Sequence, residues 1–291
     1  MVYPKKIRIL ALLVFGFSLF ISVLHAQDST REVSDMKQAE QDLKNKFTSL
    51  SSAESDSKRE ALNKKIKEKF RDILDYEDSF SYPFDSLSNA GVLKSPDGKV
   101  KIYNWNIPYE AGYHVYHCFL QFRTSDTLMN FELKDRSGQI EKPEQEVLDK
   151  DNWFGALYYQ IIPRKVRNGK TYYTLLGYDP NDYMTNRKLV DVLSFDEDNQ
   201  PVFGAEIFRN QREISRRIIF EYAEFASMTL QYSEDKDMIV YDHLSPSKPE
   251  YEGQYEFYGP DFSYDGLRFE NGVWNTYFDL DLRLEDINLD D

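Results

Sequence analysis

Two Asn-Gly pairs constrain the fold of this chain more than any other feature. Asn168-Gly169 and Asn271-Gly272 each sit between runs rich in aromatic and β-branched residues. Asn-Gly favours a two-residue type I′ turn, because both turn positions need φ > 0. The pattern predicts that Gly155–Val166 pairs with Thr171–Tyr178, and that Gly266–Glu270 pairs with a strand starting at Val273. Ser95-Pro96-Asp97-Gly98 is a third turn, with proline presetting φ and glycine accepting a positive one. Asp196-Glu197-Asp198-Asn199 and Ser233-Glu234-Asp235-Lys236-Asp237 read as two further loops between strands. From Lys94 onward the expectation is a mainly β chain, an antiparallel meander of about ten to twelve strands. The turn centres recur at no constant period, which favours an irregular propeller-like or barrel-like meander over a regular array. Aromatic residues make up 15% of the 291 positions and suit pleated, half-buried surfaces.

The region before the strands has a different period. Met36, Leu43, Phe47 and Leu50 fall on one helical face, and Leu62, Ile66, Phe70 and Ile73 form a second stripe. Ser51–Asp56 interrupts the two, and Ser57 with Glu60 reads as a capping box for the second helix. Residues 27–78 are therefore expected to form an α-helical hairpin ahead of a β-domain at 79–291. Residues 1–26 differ again: Lys5, Lys6 and Arg8 precede 16 uncharged residues, Ile9–Leu24, and a small residue, Ala26. That is the layout of a secretory signal peptide cleaved near Ala26, and the apolar run is short for a membrane span.

Composition excludes several classes. Loss of the leader leaves 33 basic against 50 acidic residues, a net charge of −17. The acids concentrate from Phe225 to Asp291, giving a field that repels nucleic acid and anionic lipid. Cys118 is the single cysteine, so no internal disulfide can form, and none lies at the cleavage site to carry a lipid anchor.

The chemistry-bearing groups are few. His114 and His117 lie three apart on a predicted strand and so face opposite sides, which precludes joint chelation of a metal ion. Tyr241-Asp242-His243 ends an apolar run before a proline-containing loop, where Asp242 and His243 could serve as acid and base. Ser245 follows without the glycines of a nucleophile elbow. Tyr258-Gly259-Pro260-Asp261-Phe262-Ser263-Tyr264-Asp265-Gly266 combines acids with aromatics. Tyr258, Asp261, Tyr264 and Asp265 are its candidate binding residues; the structural alternative is a tight, aromatic-packed turn. Trp274, Thr276, Phe278, Leu280, Leu282 and Leu284 alternate with polar residues as a half-buried strand, so Asp279-x-Asp281 reads as a solvated face rather than a calcium site. No metal and no cofactor is expected.

Thr171–Asp179, Phe220-Glu221-Tyr222, Asp242–Pro246 and Gly253–Asp261 carry a resemblance across residues 84–270. The chain resembles exported, periplasmic or secreted, proteins of the Bacteroidota to which no activity is assigned. The resemblance implies a shared fold and an envelope location, and brings no catalytic residue. The expected function is a non-enzymatic binding or interaction module of the cell envelope, in the periplasm or secreted, with a glycan or an envelope protein as partner. A hydrolase of glycan or peptide using Asp242, His243 and Asp261 is the alternative. A structural subunit docking through the N-terminal helices is the third.

Overall fold

Strands that bury one face and strands that bury both are separated along this chain, and that separation sets its layers. The computed structural model describes residues 35–166, 169–210 and 213–281. The leader at 1–26, Asn168 of the first Asn-Gly pair, and Leu282 and Leu284 of the acidic strand lie outside the described residues.

Two helices come first, α1 (35–51) and α2 (Asp56–Leu74). The α2 N-cap is Ser55, whose hydroxyl accepts from Lys58 N at 3.5 Å, rather than Ser57 as the capping-box pattern suggested. Ser57 falls inside the first turn, and Glu60 instead accepts a hydrogen bond from the Tyr109 hydroxyl at 3.2 Å. The helices cover the first sheet, a meander of β1 (Gly91–Lys94), β2 (Val100–Pro108), β3 (His114–Arg123) and β4 (Leu128–Lys134). On β2, Tyr103, Trp105 and Ile107 face the helices, while Val100 and Ile102 face the next layer. Phe70 of α2 stacks on Trp105 and Phe119 at 5.2 and 5.5 Å. Met36, Leu43, Phe47, Ile66, Phe70 and Ile73 are all buried there and Leu50 is partly buried, so the predicted stripes, Leu62 excepted, pack on this sheet.

The second sheet contains β5 (Leu148–Asp149), β6 (Leu157–Lys165), β7 (Thr171–Asp179), β8 (Thr185–Phe195) and β9 (Pro201–Phe203), in the order β5-β9-β8-β7-β6. Its central strands are apolar on both faces. Tyr173, Leu175, Leu189 and Leu193 pack toward the first sheet, and Leu176, Val190 and Val192 toward the third. Two short strands follow, β10 (Phe208–Arg209) and β11 (Ile214–Ser215), and then β12 (Ile218–Ala223), which adds to the free half of β8. With β13 (Leu230–Ser233), β14 (Met238–Pro246), β15 (Tyr258–Glu270) and β16 (Val273–Tyr277), β10 and β11 complete the third sheet, in the order β11-β10-β16-β15-β14-β13.

The mainly β class and the helical pair match the expectation. The predicted hairpins are present: Thr171 pairs with Lys165, and Val273 with Glu270 across Asn271 and Gly272, both at positive φ. The count and closure differ. The described residues hold sixteen strands in three stacked sheets, with no clearly closed barrel. Strands of two residues, such as β5, β10 and β11, are too short to show a period, and β10 pairs with β16 in parallel. A central sheet buried on both faces demands a layer on each side, which a ring of outward-facing polar strands does not. The acidic strand also ends early. β16 stops at Tyr277, Phe278 is exposed, and Asp279 has φ of 55°.

Among the described residues, one ion pair is fully buried. Arg217 and Asp191 side chains are fully buried and 3.0 Å apart. The guanidinium lies over the Phe154 ring at 5.7 Å and donates to the Pro143 carbonyl. Asp191 accepts from the Tyr158 hydroxyl at 3.0 Å, and that hydroxyl accepts from Trp153 Nε1 at 3.0 Å. Removing one partner strands the other charge in an apolar layer. Asp191→Asn or Arg217→Met is therefore expected to cost about 3–5 kcal/mol in urea unfolding, and Asp191→Leu with Arg217→Met to recover most of it.

Lys101 is a second buried cation among the described residues. Its ammonium donates to the carbonyls of Ser79 at 3.0 Å, Phe80 at 3.5 Å, and Tyr82, beside the rings of Phe84 and Tyr103. Burial, aided by the charge of Lys94, pulls its pKa from 10.5 down to about 7. Between those values the unfolded chain holds the proton and the folded chain does not, so this group makes stability rise with pH across that window. Urea midpoints measured from pH 7.5 to 9.5 are expected to increase in the native chain relative to Lys101→Met, whose profile lacks this slope.

Candidate functional site

A broad cleft opens where the second sheet extends beyond the cover of the third. On β8, Val190 and Val192 are fully buried against the third sheet, but the same face continues into Lys188 and Asn186. Cross-strand pairing sets Tyr178 of β7 opposite Lys188, and Tyr222 of β12 opposite Asn186. These side chains floor a cleft of about 820 Å³. Tyr109 and Gly112, between β2 and β3, and Tyr183, between β7 and β8, wall one side, with Ala226–Met228 on the other. The volume lies within the range of small-molecule sites, roughly 300–1,000 Å³.

Each wall has a local cause. Gly112 has φ of 90°, and a Cβ there would meet Tyr183 Cε2 at 2.1 Å. The bare glycine lets the Tyr183 ring lie flat on the loop while its hydroxyl donates to the Glu110 carbonyl at 3.1 Å. Tyr183 is still 70% exposed, so its outer face is presented to solvent. Tyr109 stacks on Tyr113 at 4.8 Å. The Tyr178 hydroxyl donates to Asn186 Oδ1 at 2.8 Å, and Asn186 Nδ2 donates to the Glu224 carbonyl at 2.9 Å, locking the floor to β12.

Lys188 is the charged element of that floor. Its ammonium lies 4.6 Å from the Tyr159 ring centroid and 5.2 Å from that of Tyr178. Burial holds its pKa below the usual lysine value. His114, half-buried at the edge, is also pulled down by burial, with Asp179 opposing, and its Nδ1 contacts Asn106 Nδ2 at 2.7 Å.

The residues singled out in the sequence lie elsewhere. Asp242 and His243 diverge: Asp242 accepts from Thr229 N at 2.6 Å, whereas His243 Nδ1 meets Asp265 Oδ2 at 2.7 Å. That hydrogen bond raises the His243 pKa above 6.5, against partial burial and with the charges of Asp261 and Asp279 assisting. Asp261 faces His243 across a bulge and accepts from Ser263 N and Oγ at 3.1 and 2.7 Å. Phe262, at the bulge, has φ of 72° and is 95% exposed. Tyr258 accepts from Gly253 N at 3.0 Å, and the Tyr264 carbonyl from Leu280 N at 2.7 Å. The segment expected as a tight turn is thus the first half of β15, a bulged strand. His243, Asp261 and Asp265 come together on the third sheet, without Asp242 and outside the cleft lining. A His held through Nδ1 by a buried carboxylate is oriented for proton transfer, but no nucleophile donates to its Nε2 among the described residues.

His114 and His117 do face opposite sides: His117 Nε2 contacts Asn63 of α2 at 2.9 Å, and His114 opens to the cleft. Among the described residues no group of three His, Cys, Asp or Glu side chains could hold a metal ion. Cys118 is a buried free thiol. The cleft itself was readable from one sign: a lysine and an asparagine continue a strand face that holds Val190 and Val192.

Gly112→Ala is expected to cost about 1–2 kcal/mol for the left-handed backbone alone. A further steric cost should vanish when Tyr183→Ala is made with it. Thermal unfolding of the four chains in a double-mutant cycle measures that coupling. No family model matches this chain, and no curated protein or solved structure matches it.

Proposed function

We propose that the protein is a non-catalytic binding module of the cell envelope, taking a glycan in the tyrosine-walled cleft. The observation that carries this reading is the co-location of Tyr109, Tyr178 and Tyr183, above a buried Tyr222, with Asn186, Lys188 and Glu224 around one cavity of about 820 Å³. Tyrosine rings present apolar faces to the C–H faces of sugar rings, and the polar groups between them take hydroxyls. A structural subunit docking through the N-terminal helices has less support, because most of the apolar stripes of α1 and α2 already pack on the first sheet.

The envelope location rests on the leader, Lys5 to Ala26, and on the resemblance to exported proteins of the Bacteroidota. Among the described residues no helix is long and apolar enough to cross a membrane. The hydrolase reading keeps one favourable observation, the His243–Asp265 contact at 2.7 Å. It would place the chemistry apart from the cleft.

The test is calorimetric titration of the full mature chain with a panel of soluble oligosaccharides. At least one is expected to bind, and Tyr183→Ala to weaken it about tenfold, the loss of one stacking face, about 1.4 kcal/mol. Chromatography of the bound sugar after overnight incubation is expected to return it intact. Absence of binding across the panel, or binding unaffected by Tyr183→Ala, removes the cleft as a glycan site. Cleavage lost in His243→Ala establishes the hydrolase instead.

A further inference from the structure

We infer that the ligand of the cleft is an acidic sugar whose carboxylate is received by the Lys188 ammonium, an inference that rests on the cleft being the glycan site. Lys188 projects from the middle of β8 onto the cleft floor, between the rings of Tyr159 and Tyr178. Among the described residues no carboxylate lies within ion-pair distance of it. That is unusual here, where most half-buried basic side chains, such as Arg187 with Glu221 at 2.7 Å and Lys67 with Glu132 at 2.8 Å, have acidic partners. A half-buried cation held only by ring faces has lost hydration without gaining a counterion. A ligand carboxylate supplies one.

The other charged groups at the cleft do not compete for that role. Asp182 Oδ1 is committed to its own turn, accepting from Met184 N at 2.8 Å and Thr185 N at 3.0 Å. Glu224 is exposed at the rim, where its carboxylate can take a hydroxyl, and burial alone shifts the Lys188 ammonium. His114 is held toward its neutral form by burial. Lys188 is therefore the one fixed positive charge of the lining. A single ammonium, with no guanidinium fork beside it, suits one carboxylate rather than a phosphate dianion, which calls for several convergent donors. Aromatic faces beside the ammonium place the carboxylate on a ring that can stack, as a uronic acid does.

The experiment titrates the mature chain with three uronic disaccharides, of galacturonic, glucuronic and mannuronic acid, and with the methyl ester of each. At least one acid is expected to bind ten-fold or more tightly than its own ester. Lys188→Gln should erase that preference while leaving ester binding in place, and Lys188→Arg should retain it. Raising the pH should weaken acid binding by the native chain at a lower pH than an ordinary lysine would, while the Lys188→Arg profile stays level. Esters binding as tightly as acids, or a preference that survives Lys188→Gln, overturns the anionic assignment while the cleft stands as a glycan site. If neither acids nor esters bind, and no neutral oligosaccharide of the wider panel binds, the cleft reading itself fails. Thermal unfolding of both variants checks that they remain folded.

Discussion

The buried pair of Arg217 and Asp191 is the contact on which the arrangement of the second sheet depends. Arg217 immediately precedes β12, and Asp191 lies in the middle of β8, so the ion pair fixes where β12 begins along its neighbour. From that anchor Ile218 aligns with Val190, and four residues on Tyr222 aligns with Asn186. β9 pairs with the other end of β8, at Leu193–Phe195, which leaves the Thr185–Val190 half open for β12. The same guanidinium reaches Pro143, and the carboxylate reaches Tyr158 and through it Trp153. One charge pair thus joins the loop before β5, the start of β6 and the centre of β8. A slip that parts the two charges leaves each buried without its partner, so the pair penalises other registers in a way an apolar contact does not. The cleft inherits that register, since its floor is made of β7, β8 and β12 side chains that the pairing sets beside one another.

What the sequence made legible follows from how local each signal is. Asn271-Gly272 specifies its hairpin within four residues, and the stripes from Met36 and Leu62 specify helical faces within three turns. His114 and His117 were placed on opposite sides by alternation alone. The stacking of three sheets was not legible, because Leu175 and Leu176 read as one apolar run whichever layers lie on either side. Nor could local pattern reveal that β10 would pair in parallel with β16, some sixty residues away.

The site was less legible than the fold, for a related reason. Asp242-His243 drew attention because acid and base adjoin in sequence, yet adjacent strand residues point apart, and His243 found its carboxylate on the neighbouring strand at Asp265. The four tyrosines of the cleft come from two separate connections and two strands, with no spacing in common. Lys188 alone carried a local sign, a charge continuing the face of Val190 and Val192. Such a break in a buried face marks either a strand end or the point where a covering layer stops; here it marks the latter.

A recessed cation also resolves an apparent conflict between an acidic protein and an anionic ligand. The chain carries a net charge of −14, which opposes any anion at long range. At physiological salt that repulsion is screened beyond about 8 Å. Exposed charges farther than that from Lys188 therefore act weakly on a small acid already inside the cleft. The Lys188 contact, formed at van der Waals range between two tyrosine rings, is screened far less. A long polyanion is in a different position, because most of its charge must lie along the acidic surface while only one group reaches the floor. On the proposed reading, the same charge distribution would admit a short acidic sugar and disfavour nucleic acid and extended polyanions, so selection by size would arise from electrostatics as well as from the shape of the cleft.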